Sequence, residues 1–213
     1  MIVKGRTSKC DLSHYETVNE SYGAFLTYSW AMIADIDIES EAIRFMGILR
    51  NDLWAVWRVI NLRSYKGKFS FLPASVDDRI NSGDDTKDNF PNIGDVVPAD
   101  WLTIEGDFIL FWASQVTHAS STTIQSPDSK LDDGIFNIMV IRKPCSRVEI
   151  VKILLGLENG SHAKNAKAEF FPCVAFRMDP MTSGSFNDID GEVVESGRIQ
   201  GRVQPSVINL FSK

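Results

Sequence analysis

The sequence predicts a mainly β fold with a few helices (α+β), an antiparallel β-sandwich decorated by helices. Three observations predict it. At least seven short runs of β-branched and aromatic residues recur, each closed by Gly, Pro, Asn or Asp. Only two stretches switch to a helical period, and they are not interleaved with the strands, which disfavours a doubly wound parallel sheet. The chain has 213 residues, 44% hydrophobic and 23% charged, which suits a single domain, 1–213, with a sizeable core.

Residues 24–34, AFLTYSWAMIA, are apolar and β-branched and read as a buried strand. Acid follows: Asp35, Asp37, Glu39 and Glu41 stand at every second position, with Ile36 and Ile38 between them. In an extended chain the four carboxylates share one face, a costly arrangement unless something positive answers them or the strand ends partway. Residues 41–62 then take a helical period through Ile43, Met46, Leu53, Trp57 and Ile60. Leu53, Val56 and Trp57 form a cluster on that helix. Trp57 either packs on the sheet, the favoured reading, or faces solvent and dips into a membrane interface.

KGKFSFLP is a short strand in which Phe69 and Phe71 alternate and Pro73 stops the run. Residues 74–100 are rich in Asp, Asn, Gly and Pro and read as a long, mobile surface loop. WLTIE, DFILFWASQV and GIFNIMVIR return to strand character. SRVEIVKILLGLENG is a helix that Ser146 caps and Gly160 ends. AEFFPCVAFRMDP, DIDGEVV and GRIQGRVQP close the chain as strands, with Asp190-Gly191-Glu192 as a tight turn.

Composition excludes several functions. A net charge of −6 disfavours a nucleic-acid coat. Three cysteines without a CxxC pair read as reduced thiols of a cytoplasmic protein. The start, MIVKGRTSKCDL, has no apolar run of the signal-peptide kind, and no apolar stretch approaches a membrane span. Three histidines in no ligand spacing leave no metal site to expect. No GxxxxGK[ST], GxGxxG or GxSxG motif is present. Arg44 and Arg50 lie about 120° apart on a regular helix. They converge only through their long side chains or if Arg44 precedes that helix; the plainer reading pairs them with Glu41 or Asp52 as surface ion pairs.

The stretch from Ser21 to Pro73, and within it WAMIADIDIESEAIRFMGILR, resembles the sphingosine kinases, members of the diacylglycerol-kinase-like lipid kinase family. ENGSH, FFPCVAFRMDP and DGEVVESGRIQGRVQP agree in order and spacing. The resemblance implies the carboxy-terminal lipid-binding sandwich of an enzyme that moves the terminal phosphate of ATP, with Mg2+, to the primary hydroxyl of a sphingoid base. The family's amino-terminal domain, with its GGDGT-type nucleotide loop and catalytic base, has no counterpart here. No catalytic residue is therefore assigned, and the chain alone is expected to be inactive.

The resemblance also assigns sites. Asp37 matches the aspartate that holds the lipid head, with Met32 and Ile33 as strand neighbours lining the pocket; Asp35 is left to the backbone or the turn. Met139, Ile141, Ile150, Ile153 and Leu154 match the tail tunnel, and His162 its closed end, though plain core and a structural histidine account for them equally. Thr27, Arg44, Arg50, Asp190, Gly191 and Glu192 match positions that face ATP. The expected partners are a sphingoid-base lipid and a peripheral membrane surface. A diacylglycerol- or ceramide-type kinase, or a non-catalytic lipid-binding protein, are the alternatives.

Overall fold

The structure is a computed structural model that describes residues 5–47, 49–74 and 90–211. Most of the predicted loop 74–100 lies outside the described residues. Three strands open the fold: β1 (Thr7–Glu16), β2 (Ser21–Ala24) and β3 (Thr27–Ala31). Two helices follow, α1 (Met32–Glu39) and α2 (Leu49–Ile60), joined through a 3-10 segment at Ser40–Met46. Next come β4 (Tyr65–Pro73), β5 (Leu102–Ser114), the small hairpin β6 (His118–Ser120) and β7 (Thr123–Ile124), and β8 (Phe136–Arg142). Helix α3 (Arg147–Gly156) precedes β9 (Glu169–Pro180), β10 (Asn187–Ile189), β11 (Glu192–Val194) and β12 (Ile199–Phe211).

The main sheet is antiparallel, in the order β11-β10-β3-β5-β4-β9-β12-β1-β2. Strand β8 pairs with both β5 and β9. The first half of β5 pairs with β4 and its second half with β8, while β9 divides between β8 and β4 in the same way. Strands that change partner partway are the corners of a sandwich. Two cores result. One is aromatic and fills the sandwich around Tyr28, Trp30, Phe69, Phe111, Phe136 and Phe176. The other lies between the β5–β8 face and the helices, around Ile33, Ile109, Trp112, Met139, Ile150 and Ile153. Strand β8 feeds Ile138 and Val140 to the first core and Met139 and Ile141 to the second, which is why it reads as continuous apolar sequence.

Four expectations are corrected. The apolar run 24–34 stays extended only to Ala31, whose φ of 66° turns the chain into α1. Met32 and Ile33 are therefore helical, not strand neighbours of Asp37. The helix expected over 41–62 breaks at Gly47, where φ is 60°, so that only Leu49–Ile60 is α-helical. WLTIE and DFILFWASQV belong to one strand, β5. Gly160 does not end α3, which stops at Gly156; it takes a left-handed conformation at the start of the next 3-10 turn, Ser161–Lys164. Ser146 does cap α3, in a reciprocal box with Glu149.

Candidate functional site

Helix geometry settles what the alternating acids do. Two residues along an α-helix turn about 200°, and four return to the same face. The row thus divides into two acidic pairs on opposite sides, Asp35 with Glu39 and Asp37 with Glu41, the last just past the helix end.

The first pair meets cations. Arg58 of α2, itself buried, stands 3.6 Å from Asp35 through Nε and donates to Glu39 through its terminal nitrogen. Tyr65 Oη donates to Asp35 at 2.6 Å, Trp54 Nε1 to Glu39 at 2.9 Å, and Arg63 to Glu39 at 3.2 Å. Burial raises the Asp35 carboxyl despite Tyr65 and Arg58. Burial also acts upward on Glu39, but Trp54, Arg58 and Arg63 together outweigh it and hold that carboxyl below its ordinary value. This cluster locks α1 to α2 and β4.

The second pair meets another acid. Asp37 lies beside Asp188 of β10, near enough for each carboxyl to act on the other. Asp188 is 2% exposed; its Oδ2 accepts from Ser29 Oγ at 2.7 Å, while its buried Oδ1 has no protein donor. A buried carboxyl and a half-buried one side by side cannot both ionise cheaply, so a shared proton is favoured. Desolvation, opposed by Ser29 and reinforced by Asp37, pushes Asp188 up to about 7. Burial raises Asp37 too, against the lowering influence of Asp188 and of the Arg50 charge.

A cleft of about 320 Å³ opens over Asp37, lined by Ile38, Glu41, Arg44, Gly191, Glu192 and Val193 as well. Arg44 and Arg50 converge on Glu41, Arg44 at 3.4 Å, because Arg44 precedes the regular helix. Arg44 remains 82% exposed. Asp190 and Gly191 form the two-residue loop of the β10–β11 hairpin, both with positive φ, the geometry that favours an Asp-Gly pair. The Asp190 carboxylate is already engaged: it accepts from the amides of Phe25, Leu26 and Thr27 at 2.8–3.0 Å and so fixes the turn into β3 beside the cleft.

Behind Asp37 a single row crosses five strands. Asp188 pairs with Ser29, Ser29 with Trp112, Trp112 with Met139, and Met139 with Phe170. Four interstrand steps of about 4.8 Å make a row about 19 Å long. Its first two members are polar and the remainder belongs to, or packs on, the core beneath the helices. Met32, Ile33, Ile36, Met139, Ile141, Ile150 and Ile153 belong to that core, and Leu154 packs against it. His162 lies at the far end against Phe170, its ring centroid 5.8 Å away, with Nδ1 3.3 Å from the Gly156 carbonyl and Nε2 2.9 Å from that of Gln125. The approach is close enough that a Cβ at Gly156 would stand 2.6 Å from the His162 backbone nitrogen. Asp188, Ser29, Trp112 and Phe170 were not singled out from sequence.

Helix α2 is amphipathic in an unusual sense. Leu49, Leu53, Val56 and Ile60 repeat at helical spacing on its exposed side, with Trp57 beside them, 52% exposed. Trp57 therefore faces solvent, not the sheet, because Trp54, Ala55, Arg58 and Val59 occupy the inward face. Phe45, 86% exposed, and Val148, Val151 and Leu155 of α3 add apolar surface. No helix among the described residues is long and apolar enough to cross a membrane.

A sandwich with this topology and a cleft at its helical edge defines a class. Residues 102–212, more than half of the chain, match the YegS C-terminal NAD kinase beta sandwich-like domain, and the chain belongs to that family. It is 29% identical over 230 residues to sphingosine kinase 1 of Arabidopsis thaliana, covering 100% of this chain and 47% of that protein. Against sphingosine kinase 1 of Homo sapiens it is 29% identical over 200 residues, 88% of this chain and 51% of the relative. The chain thus spans about half the length of these curated relatives. Among solved structures, a putative diacylglycerol kinase from Bacillus anthracis str. Sterne superposes with a TM-score of 0.61 at 12% identity, over 98% of this chain and 57% of that one. That likeness shows the shared fold.

Proposed function

We propose that this chain is the lipid-binding half of a sphingosine kinase, which phosphorylates the primary hydroxyl of a sphingoid base with ATP and Mg2+. The observation that carries the reading is the position of Asp37. It stands where the cleft lined by Arg44, Gly191 and Glu192 meets the polar end of the row that runs into the apolar core. An amphiphile with a cationic head and a long tail has that same order of chemistry. Asp37 would accept from the ammonium and hydroxyl and orient the reacting oxygen toward the cleft.

Arg44 and Arg50 would neutralise phosphate charge there, exchanging Glu41 for the nucleotide. Thr27 and Asp190 would hold the cleft wall, with Gly191 and Glu192 reaching toward ATP. The Mg2+ is assigned no ligand on this chain. Met32, Ile33, Met139, Ile141, Ile150, Ile153 and Leu154 would receive the tail, with His162 near its end. Most of these side chains are fully buried, so the tail enters only if α3 parts from the sheet. The exposed stripe of α2 would rest on a membrane surface, from which the lipid is drawn.

Binding to the chain itself tests the reading. Sphingosine in mixed micelles should bind wild type, and ceramide or diacylglycerol, which lack the free amine, should compete poorly with it. Asp37→Asn should weaken sphingosine binding at least tenfold, about 1.4 kcal/mol, while the near-UV spectrum stays unchanged. Equal binding of neutral lipids and sphingosine would instead favour a diacylglycerol- or ceramide-type substrate.

A further inference from the structure

We propose that Asp188 is a second carboxylate of the head-group site, and that it and Asp37 together hold one proton that an incoming ammonium displaces. The inference deepens the reading of Asp37 and rests on it. Asp35 also has a buried oxygen without a donor, but Arg58 stands 3.6 Å from its other oxygen; the Asp37–Asp188 pair has an acid in that place. Asp188 is nine-tenths buried or more, one oxygen is held by Ser29, the other is buried with no donor, and Asp37 is its acidic neighbour. A buried carboxylate oxygen without a donor at the polar end of an apolar row favours a donor with positive charge. An ammonium supplies three N–H groups and the missing charge; a neutral hydroxyl supplies one proton and none of the charge.

The other described groups around the pair leave that oxygen without a donor. Ser29 on β3 donates to Asp188, the Gly191 amide at the β10–β11 turn acts weakly to lower it, and Arg50 on α2 acts on Asp37 from a distance while bonded to Glu41. Arg44 pairs with Glu41, and Glu192 lines the same cleft as a further acid. Asp35, two residues before Asp37, faces the opposite side toward Arg58. No described cation is in contact with Asp188. Burial, more than Asp37 itself, raises its carboxyl to about 7, so the pair carries its proton under mildly acidic conditions and gives it up to solution when the ammonium arrives. One proton leaves for each ammonium bound, and charge balances.

The test is calorimetric, on the full chain. A soluble short-chain 2-amino-1,3-diol and its N-acetylated form are titrated in two buffers of unlike ionisation heat, between about pH 5.5 and 7, where an aliphatic ammonium keeps its proton. Wild type should release about one proton per amine near pH 6, and its affinity should rise with pH, by up to about tenfold per unit. Asp188→Asn, close in shape, should release under half as much, lose most of its preference for the amine and bind the N-acetylated diol as wild type does. Ser29→Ala keeps the acid but removes a donor to it, and should move the midpoint of proton release to higher pH. Equal release and equal discrimination in wild type and Asp188→Asn would overturn the second carboxylate while leaving Asp37 in place. If Asp37→Asn also binds the amine undiminished, the head-group reading fails with it.

Discussion

The two sides of α1 carry the same residues in opposite circumstances. Asp35 and Glu39 are met by Arg58, Arg63, Tyr65 and Trp54; Asp37 is met by Asp188. On the first side, charge is closed within the protein and the helix is fastened. On the second, like faces like, and the arrangement is complete only with a proton or a cation. About half a turn of helix thus separates a structural use of carboxylate from a use that needs something from outside.

Removing the cation that defines the first side should have the largest effect. Arg58→Met keeps much of the buried stem but leaves Asp35 and Glu39 without their shared partner. Breaking a buried pair from one end typically costs about 3–5 kcal/mol, and urea unfolding at pH 7 should show a loss of that size. A loss below about 1 kcal/mol would mean that the Arg58 cluster is not closed as described, and the contrast between the sides would break.

A smaller effect of opposite sign is expected across the helix. A carboxyl whose folded value is raised binds its proton more tightly in the folded state. The stability it adds is present below its unfolded value near 4 and is lost as pH rises through its folded value, about 7 for Asp188. Wild type should therefore weaken between about pH 4 and 7 on account of this pair. Asp188→Asn should flatten that decline and be the more stable protein at pH 8, by about 1–3 kcal/mol once the weakened Ser29 contact is counted. Thermal melts from pH 4 to 8 measure it. A wild-type curve that rises over the same range in step with the variant's would show that the pair holds no proton.

How much of this was legible in the sequence follows from where each signal is local. The Asp190-Gly191 turn and the Ser146–Glu149 capping box are decided by neighbouring residues, and the structure contains both. The strand runs in β4, β8 and β9 were equally plain. Helix α1 was not. MIADIDIE alternates apolar and acidic residues like a strand, yet it also places acids four apart, so both periods fit. The decision came from Arg58, Tyr65 and Trp54, 15 to 30 residues away. Asp188 was hidden for a related reason: its contact with Ser29 depends on the register of β10 against β3, a pairing across 159 residues. Where the Asp37 site stands relative to the cleft is likewise a property of that pairing.

The outer face of α2 extends the comparison from charge to apolar surface, and the smallest stability change is expected there. The helix satisfies α1 through Trp54 and Arg58 and leaves Leu53, Val56 and Trp57 without a protein neighbour to bury them. Like Asp37, this stripe reads as a feature whose counterpart is not in the described chain. Trp57→Ser removes half-exposed surface and no buried contact of the clusters, so stability should change by no more than about 0.5 kcal/mol. Sedimentation with phosphatidylcholine–phosphatidylserine vesicles should nonetheless fall by roughly tenfold, the loss expected for about 1.4 kcal/mol of interfacial burial. Unchanged vesicle binding together with a stability loss above about 2 kcal/mol would place Trp57 among the groups that fasten the fold, and the stripe would join the closed side of the molecule.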